Sequence, residues 1–158
     1  MNLIKQTKKI NNLTFQQKCW LIYLFVSSLL YWFALRFIPM HNLSKSLGLA
    51  NDNRLTSTLA NKTQREHAKE IGNLMSRIAN NTLWTCTCLN QALCVKRLLN
   101  YYKIPSVLYL GAVIDTQQNS NAGFKAHAWV GVHQDTVIGA PQHQDYDVVA
   151  SFLSIGFS

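Results

Sequence analysis

Residues Cys19 to Leu35, CWLIYLFVSSLLYWFAL, carry no charge and lie between Lys18 and Arg36. Such a run must be shielded from water by protein or by lipid. A bilayer-spanning helix needs roughly 20 apolar residues, and this run is slightly short, with Ser27 and Ser28 inside it. A secretory signal would show a small-x-small cleavage site, and the following RFIPMHN is wrong for one. The expected state is a helix that is buried or lies on a membrane surface, with Trp20, Tyr23, Tyr31 and Trp32 as amphipathic anchors. Any membrane contact is expected to be peripheral, through residues 19–38; a true span is the competing reading. Nothing argues for secretion, so the expected location is cytoplasmic, with membrane association open.

The rest of the 158-residue chain is of single-domain size and 48% hydrophobic, enough for a real core. Only 14% of residues are charged, yet the net charge is +8, which suggests an anionic partner: acidic peptide, membrane surface or nucleic acid. Nucleic acid is not expected, because Lys and Arg are scattered and no recognised binding motif appears.

Residues 1–60 read as a basic arm and an apolar helical region, and residues 61–158 as the core. Thr14 and Gln17 form a capping-box pattern for a helix running to near Pro39. A short helical piece is expected over Leu43–Leu47 and a loop over 49–61. Thr63 and Glu66 form a second capping box. Ala68, Ile71, Met75 and Ile78 then recur at helical spacing, so residues 64–79 form an amphipathic helix ended by Asn80 and Asn81. Another helix runs from Cys88 to Tyr102, closed by Ile104-Pro105. SVLYLGAVI reads as a central strand, QQNSNAG as a loop, and FKAHAWVGV as an alternating strand. In that strand Phe124, Ala126, Ala128, Val130 and Val132 share one face, with Lys125, His127, Trp129 and Gly131 on the other. A short strand, TVI, ends at Gly139-Ala140-Pro141; the tail has no clear pattern. Helices first and a small antiparallel sheet second make an α+β fold.

Three of the four cysteines fall within TCTCLNQALC, residues 85–94. Structural zinc sites want thiolate pairs two to four residues apart, so Cys86-x-Cys88 is too tight and no metal site is expected. A disulfide within Cys-x-Cys would be strained, and a cytosolic chain keeps its thiols reduced. Cys94 reads as a small buried hydrophobe, and nothing recommends Cys86. Cys88 differs. It shares a helix stripe with Ala92, Val95, Leu99 and Tyr102, and it stands in the first turn. Unpaired backbone N–H groups and the positive end of the dipole there stabilise a thiolate. The candidate base is His127, in mid-strand. A helix-start Cys followed by a strand His is the arrangement of papain-like and transglutaminase-like thiol enzymes, in which imidazole accepts the thiol proton and later returns it to the leaving amine.

The residues around this pair resemble the leader-peptidase B proteins of lasso-peptide biosynthesis. Their C-terminal part is a transglutaminase-like cysteine peptidase domain. The matching segments are Cys88-Leu89, Ala92-Leu93, Lys103-Ile104-Pro105, Gly111-Ala112 and Ala126-His127-Ala128-Trp129-Val130. The apolar N-terminal helix is similar too. The resemblance implies a transglutaminase-like or papain-like core with the cysteine at a helix N-terminus packed on a small sheet. It also implies hydrolysis of one peptide bond, freeing a ribosomally made precursor from its leader. The implied partners are the precursor peptide, a separate leader-binding protein and the lasso cyclase; no cofactor is implied. The family's third catalytic member is an Asp about a dozen residues after the His. That position here is Gly139; Asp135, at the turn before the strand, is the weaker candidate, and Asp145 and Asp147 lie later. A backbone carbonyl can also hold the imidazole tautomer. Trp129 is expected to shield the imidazole, with ordinary sheet packing as the alternative, and Gln91, a turn from Cys88, is read as an exposed surface amide, with reach into the site as the alternative. Two other readings stand beside hydrolysis: acyl transfer to an amine through the same thiol, and a catalytically degenerate scaffold.

Overall fold

The computed structural model describes residues 13–37, 49–51, 60–115, 123–140 and 146–155. Among them are three long helices and five strands: α1 (Phe15–Phe37), β1 (Leu49–Asn51), α2 (Lys62–Ala79), α3 (Cys88–Tyr101), β2 (Ser106–Asp115), β3 (Gly123–Val132), β4 (Asp135–Ile138) and β5 (Asp147–Ser154). The strands form one sheet in the order β1-β5-β2-β3-β4, antiparallel throughout. The α+β expectation holds. The short helix expected over Leu43–Leu47 and the loop at 117–122 lie outside the described residues.

Each helix begins where a side chain can take up its orphaned N–H groups. At α1 the Thr14 Oγ1 accepts from the Gln17 N–H at 3.3 Å, and Gln17 Oε1 accepts from the Thr14 N–H at 3.0 Å. At α2 the box is Asn61 with Gln64, not Thr63 with Glu66, so this helix starts two residues earlier than expected. Asn outranks Thr as an N-cap, and the two patterns overlap in sequence. Asn80 caps the other end, and Asn81 Nδ2 donates to the Arg77 carbonyl. At α3 the N-cap is Thr87, whose Oγ1 accepts from the Asn90 N–H. That helix ends in a Schellman turn: the Ile104 N–H bonds the Leu99 carbonyl and the Lys103 N–H that of Asn100, with Lys103 left-handed at φ 54°. The turn fixes where β2 starts relative to α3.

The helices cover one sheet face. Leu108, Ala128, Val130, Val132, Ile138 and Phe152 meet Ile71, Met75, Val95 and Leu99 there. Packing against both the sheet and α1, α3 is buried on most sides, including Cys94 and even Lys96. The opposite face carries a smaller cluster of Val107, Tyr109 and Trp129, with Tyr146, Val148 and Leu153 against it. The alternation in β3 is as the sequence predicts at Ala128, Val130 and Val132. Two strands were not anticipated: β1 falls in the segment expected to be loop, and β5 lies in the tail.

Candidate functional site

Cys88 is the first residue of α3, half-buried at the margin of the helix-side core. Thr87 spends its hydroxyl on the Asn90 N–H, and Gln91 Nε2 donates to the Cys86 carbonyl at 2.9 Å. Gln91 therefore braces the loop leading into the helix. Helix geometry leaves the Cys88 and Leu89 N–H groups without intrahelical acceptors, beside the thiol. Cys86 and Cys94 are reduced and unsuited to attack: burial pushes the Cys86 thiol up to about 11, and burial with nearby Cys86 pushes Cys94 higher still. No group of three metal-ligating side chains occurs among the described residues.

His127 is buried on β3, opposite Gly111 of β2. Its ring stacks on Trp129, with centroids 5.8 Å apart at 21°, and Trp129 stacks in turn on Tyr109. Tyr146 tilts against the imidazole at 5.2 Å. Gly111 makes this possible, because a Cβ there would lie 2.7 Å from the Trp129 ring and 2.8 Å from Tyr146 Cβ. The imidazole Nε2 lies 3.0 Å from the Gly139 carbonyl oxygen. A carbonyl only accepts, so Nε2 carries the hydrogen and the neutral ring keeps its Nδ1 lone pair free to take a proton. The oxygen comes from the position where a carboxylate was sought. Gly139 adopts φ +84°, and a Cβ there would meet Trp129 Cβ at 2.8 Å and the Ala128 carbonyl at 2.9 Å. A side chain at 139 would disturb the very turn that presents the oxygen.

Asp135 is not the orienting group. Its Oδ1 is 3.0 Å from Lys69 Nζ, and its Oδ2 is 3.0 Å from Arg65 Nη2, so both oxygens face α2. Those cations hold its carboxyl below the usual range, Lys69 first. Of the other expected site residues, Trp129 is joined to His127, and Gln91 to the chain before Cys88. Thr87, Tyr146 and the Gly139 carbonyl complete the surroundings.

Along the strand direction Cys88 and His127 come level, but Cys88 lies at the helix-side core while His127 stacks in the Trp129 cluster of the opposite sheet face. From Cys88 to Tyr101 the helix rises about 20 Å, and β2 recovers that in about six residues at ~3.3 Å each, reaching Gly111 and Ala112. Gly111 is the β2 partner of His127. No hydrogen bond joins the thiol and the imidazole among the described residues. The family comparison bears on this pair: residues 34–151 match the model of the transglutaminase-like superfamily. The chain belongs to the transglutaminase-like superfamily. That superfamily includes cysteine peptidases and acyltransferases. Searches of curated proteins and of solved structures give no match.

Proposed function

We propose that this transglutaminase-like protein is a cytoplasmic cysteine peptidase that removes the leader from a ribosomally made precursor during lasso-peptide maturation. The observation that carries the proposal is the His127 Nε2 contact with the Gly139 carbonyl, which leaves Nδ1 as the base. In this reading Cys88 Sγ gives its proton to Nδ1 and attacks the scissile carbonyl carbon. The tetrahedral oxyanion is met by the free N–H groups at the start of α3. Collapse breaks the C–N bond as the imidazolium protonates the leaving amine, and water then hydrolyses the thioester. Trp129 limits water around the imidazole. A separate leader-binding protein presents the precursor, and a lasso cyclase takes the freed amine.

A second reading is a catalytically silent scaffold, favoured by the lack of a Cys88–His127 hydrogen bond among the described residues and by their places on opposite faces of the sheet. Membership of a superfamily that includes cysteine peptidases supports the peptidase reading. Acyl transfer uses the same residues with an amine in place of water. Mass spectrometry of precursor incubated with the protein and a leader-binding partner separates them. A leader fragment with wild type and Cys86→Ala, but not with Cys88→Ala, supports peptidase. An adduct with added amine points to acyl transfer, and intact precursor with every variant points to a scaffold.

A further inference from the structure

The first helix is apolar on its outer side as well as on the side that packs against the protein. Toward the protein it buries Trp20 and Leu24, but also Ser27 and Ser28. Toward solvent it presents Phe15, Ile22, Val26, Leu30, Phe33 and Phe37, each 48–84% exposed. From Ile22 to Phe37 these recur every three or four residues, and Phe15 stands two turns before Ile22, so they line one apolar side of the helix. Patches of that kind mark an interaction site.

Charge selects the occupant. The helix holds no acidic residue, and Lys18 and Arg36 flank its apolar stretch. Beside the stripe runs a groove of about 680 Å³ lined by Ile22, Tyr23, Val26, Leu30, Tyr31 and Arg97. The Arg97 guanidinium is exposed there, held charged by the Tyr31 and Tyr23 hydroxyls. A second copy laid on this stripe would set Lys18, Arg36 and Arg97 against their own kind with no carboxylate on α1 to pair. An anionic phospholipid surface offers what the stripe and the guanidinium need: acyl chain for the first, phosphate for the second.

We infer that α1 and Arg97 form a docking face for anionic lipid bilayers, with the helix lying in the interface and its serine side on the protein. Spanning is opposed by the packing. Trp20 and Leu24 sit in the core, α1 contacts both α2 and α3, and Asn90 Nδ2 donates to the Ser28 carbonyl at 3.0 Å. A helix pinned at its middle to the protein immerses only its outer face. The arrangement would hold the protein beside the bilayer while leaving the sheet in water.

The test is co-sedimentation of the full chain with phosphatidylcholine vesicles with and without phosphatidylglycerol. The probe variants are V26Q/L30Q and R97Q, at positions already exposed, with circular dichroism confirming the fold. Binding to phosphatidylglycerol vesicles that falls roughly tenfold in V26Q/L30Q, and loses its preference for the anionic lipid in R97Q, supports the proposal. Release of bound protein by alkaline carbonate supports an interfacial helix; retention in the pellet means a span and overturns it. No binding to vesicles overturns it too, whether the protein is monomeric or a dimer that V26Q/L30Q disperses.

Discussion

Asp135 and Gly139 lie four residues apart, and at the residue scale the structure gives them unrelated tasks. The Asp135 carboxylate is committed to Lys69 and Arg65. Asp135→Asn is therefore expected to leave precursor cleavage unchanged, with a stability loss of at most about 1 kcal/mol, as for other partly exposed ion pairs; steady-state kinetics and urea unfolding read both. A large fall in kcat with stability intact would return Asp135 to the site. Gly139→Ala should act the other way. Its Cβ has no room at 2.8 Å from Trp129 Cβ, and a non-glycine residue at positive φ costs about 1–3 kcal/mol. Displacing the carbonyl that holds Nε2 by even 1 Å should lower kcat on the order of 10²-fold, with a much smaller change in KM. The Cys88 and His127 positions were legible in the sequence because helix-start and strand patterns bracket them. The orienting oxygen was legible only as a location, since a main-chain group has no letter of its own.

Among the elements, α3 decides most. It is wrapped by α1, α2 and the sheet, which is why its single-stripe reading understated its burial: Leu93, Cys94, Lys96 and Leu98 are also inside. The wrapping depends on Asn90, which is 1% exposed; its Nδ2 donates to the Ser28 carbonyl and its Oδ1 faces the Cys94 thiol at 3.5 Å. Asn90→Ala should cost about 1–3 kcal/mol, because a buried carbonyl and thiol lose their partner. Urea denaturation measures the loss, and native-state hydrogen exchange should show α1 opening earlier than in wild type. The strands missed in the sequence have physical reasons. β1 is three residues long, too short to show a period. β5 lies between β1 and β2, and its burial does not alternate cleanly because Ser151 and Phe152 are buried in succession. The capping boxes were readable because their hydrogen bonds are local; the choice of Asn61 over Thr63 was not, because both patterns fit.

At the scale of the whole molecule, buried titratable groups set how stability follows pH. Burial lowers Lys96 from an ordinary 10.5 to about 7; its ammonium donates to the Ser106 carbonyl and hydroxyl. Above pH 7 the folded chain releases that proton while the unfolded chain keeps it, so this group makes stability rise with pH until the unfolded lysine titrates. Cys86 and Cys94 have raised values, so above about 9 the unfolded thiols ionise first and stability falls. Between pH 7 and 9 stability should therefore climb, and Lys96→Met should flatten the climb; urea midpoints across that range test it, and a wild-type profile already flat would contradict the burial of a titrating lysine. The three long helices and strands β2 to β4 were readable from the sequence patterns, but the buried Lys96 was not, because only the assembled layers put Ser106 within its reach.

An alanine scan works by removing side chains. Because the acceptor opposite His127 is a peptide oxygen, such a scan of this chain would report two members of the proposed site where there are three. Replacement at position 139 can shift that oxygen but never delete it. A lineage carrying this arrangement loses the acceptor only by an insertion or deletion that reroutes the turn.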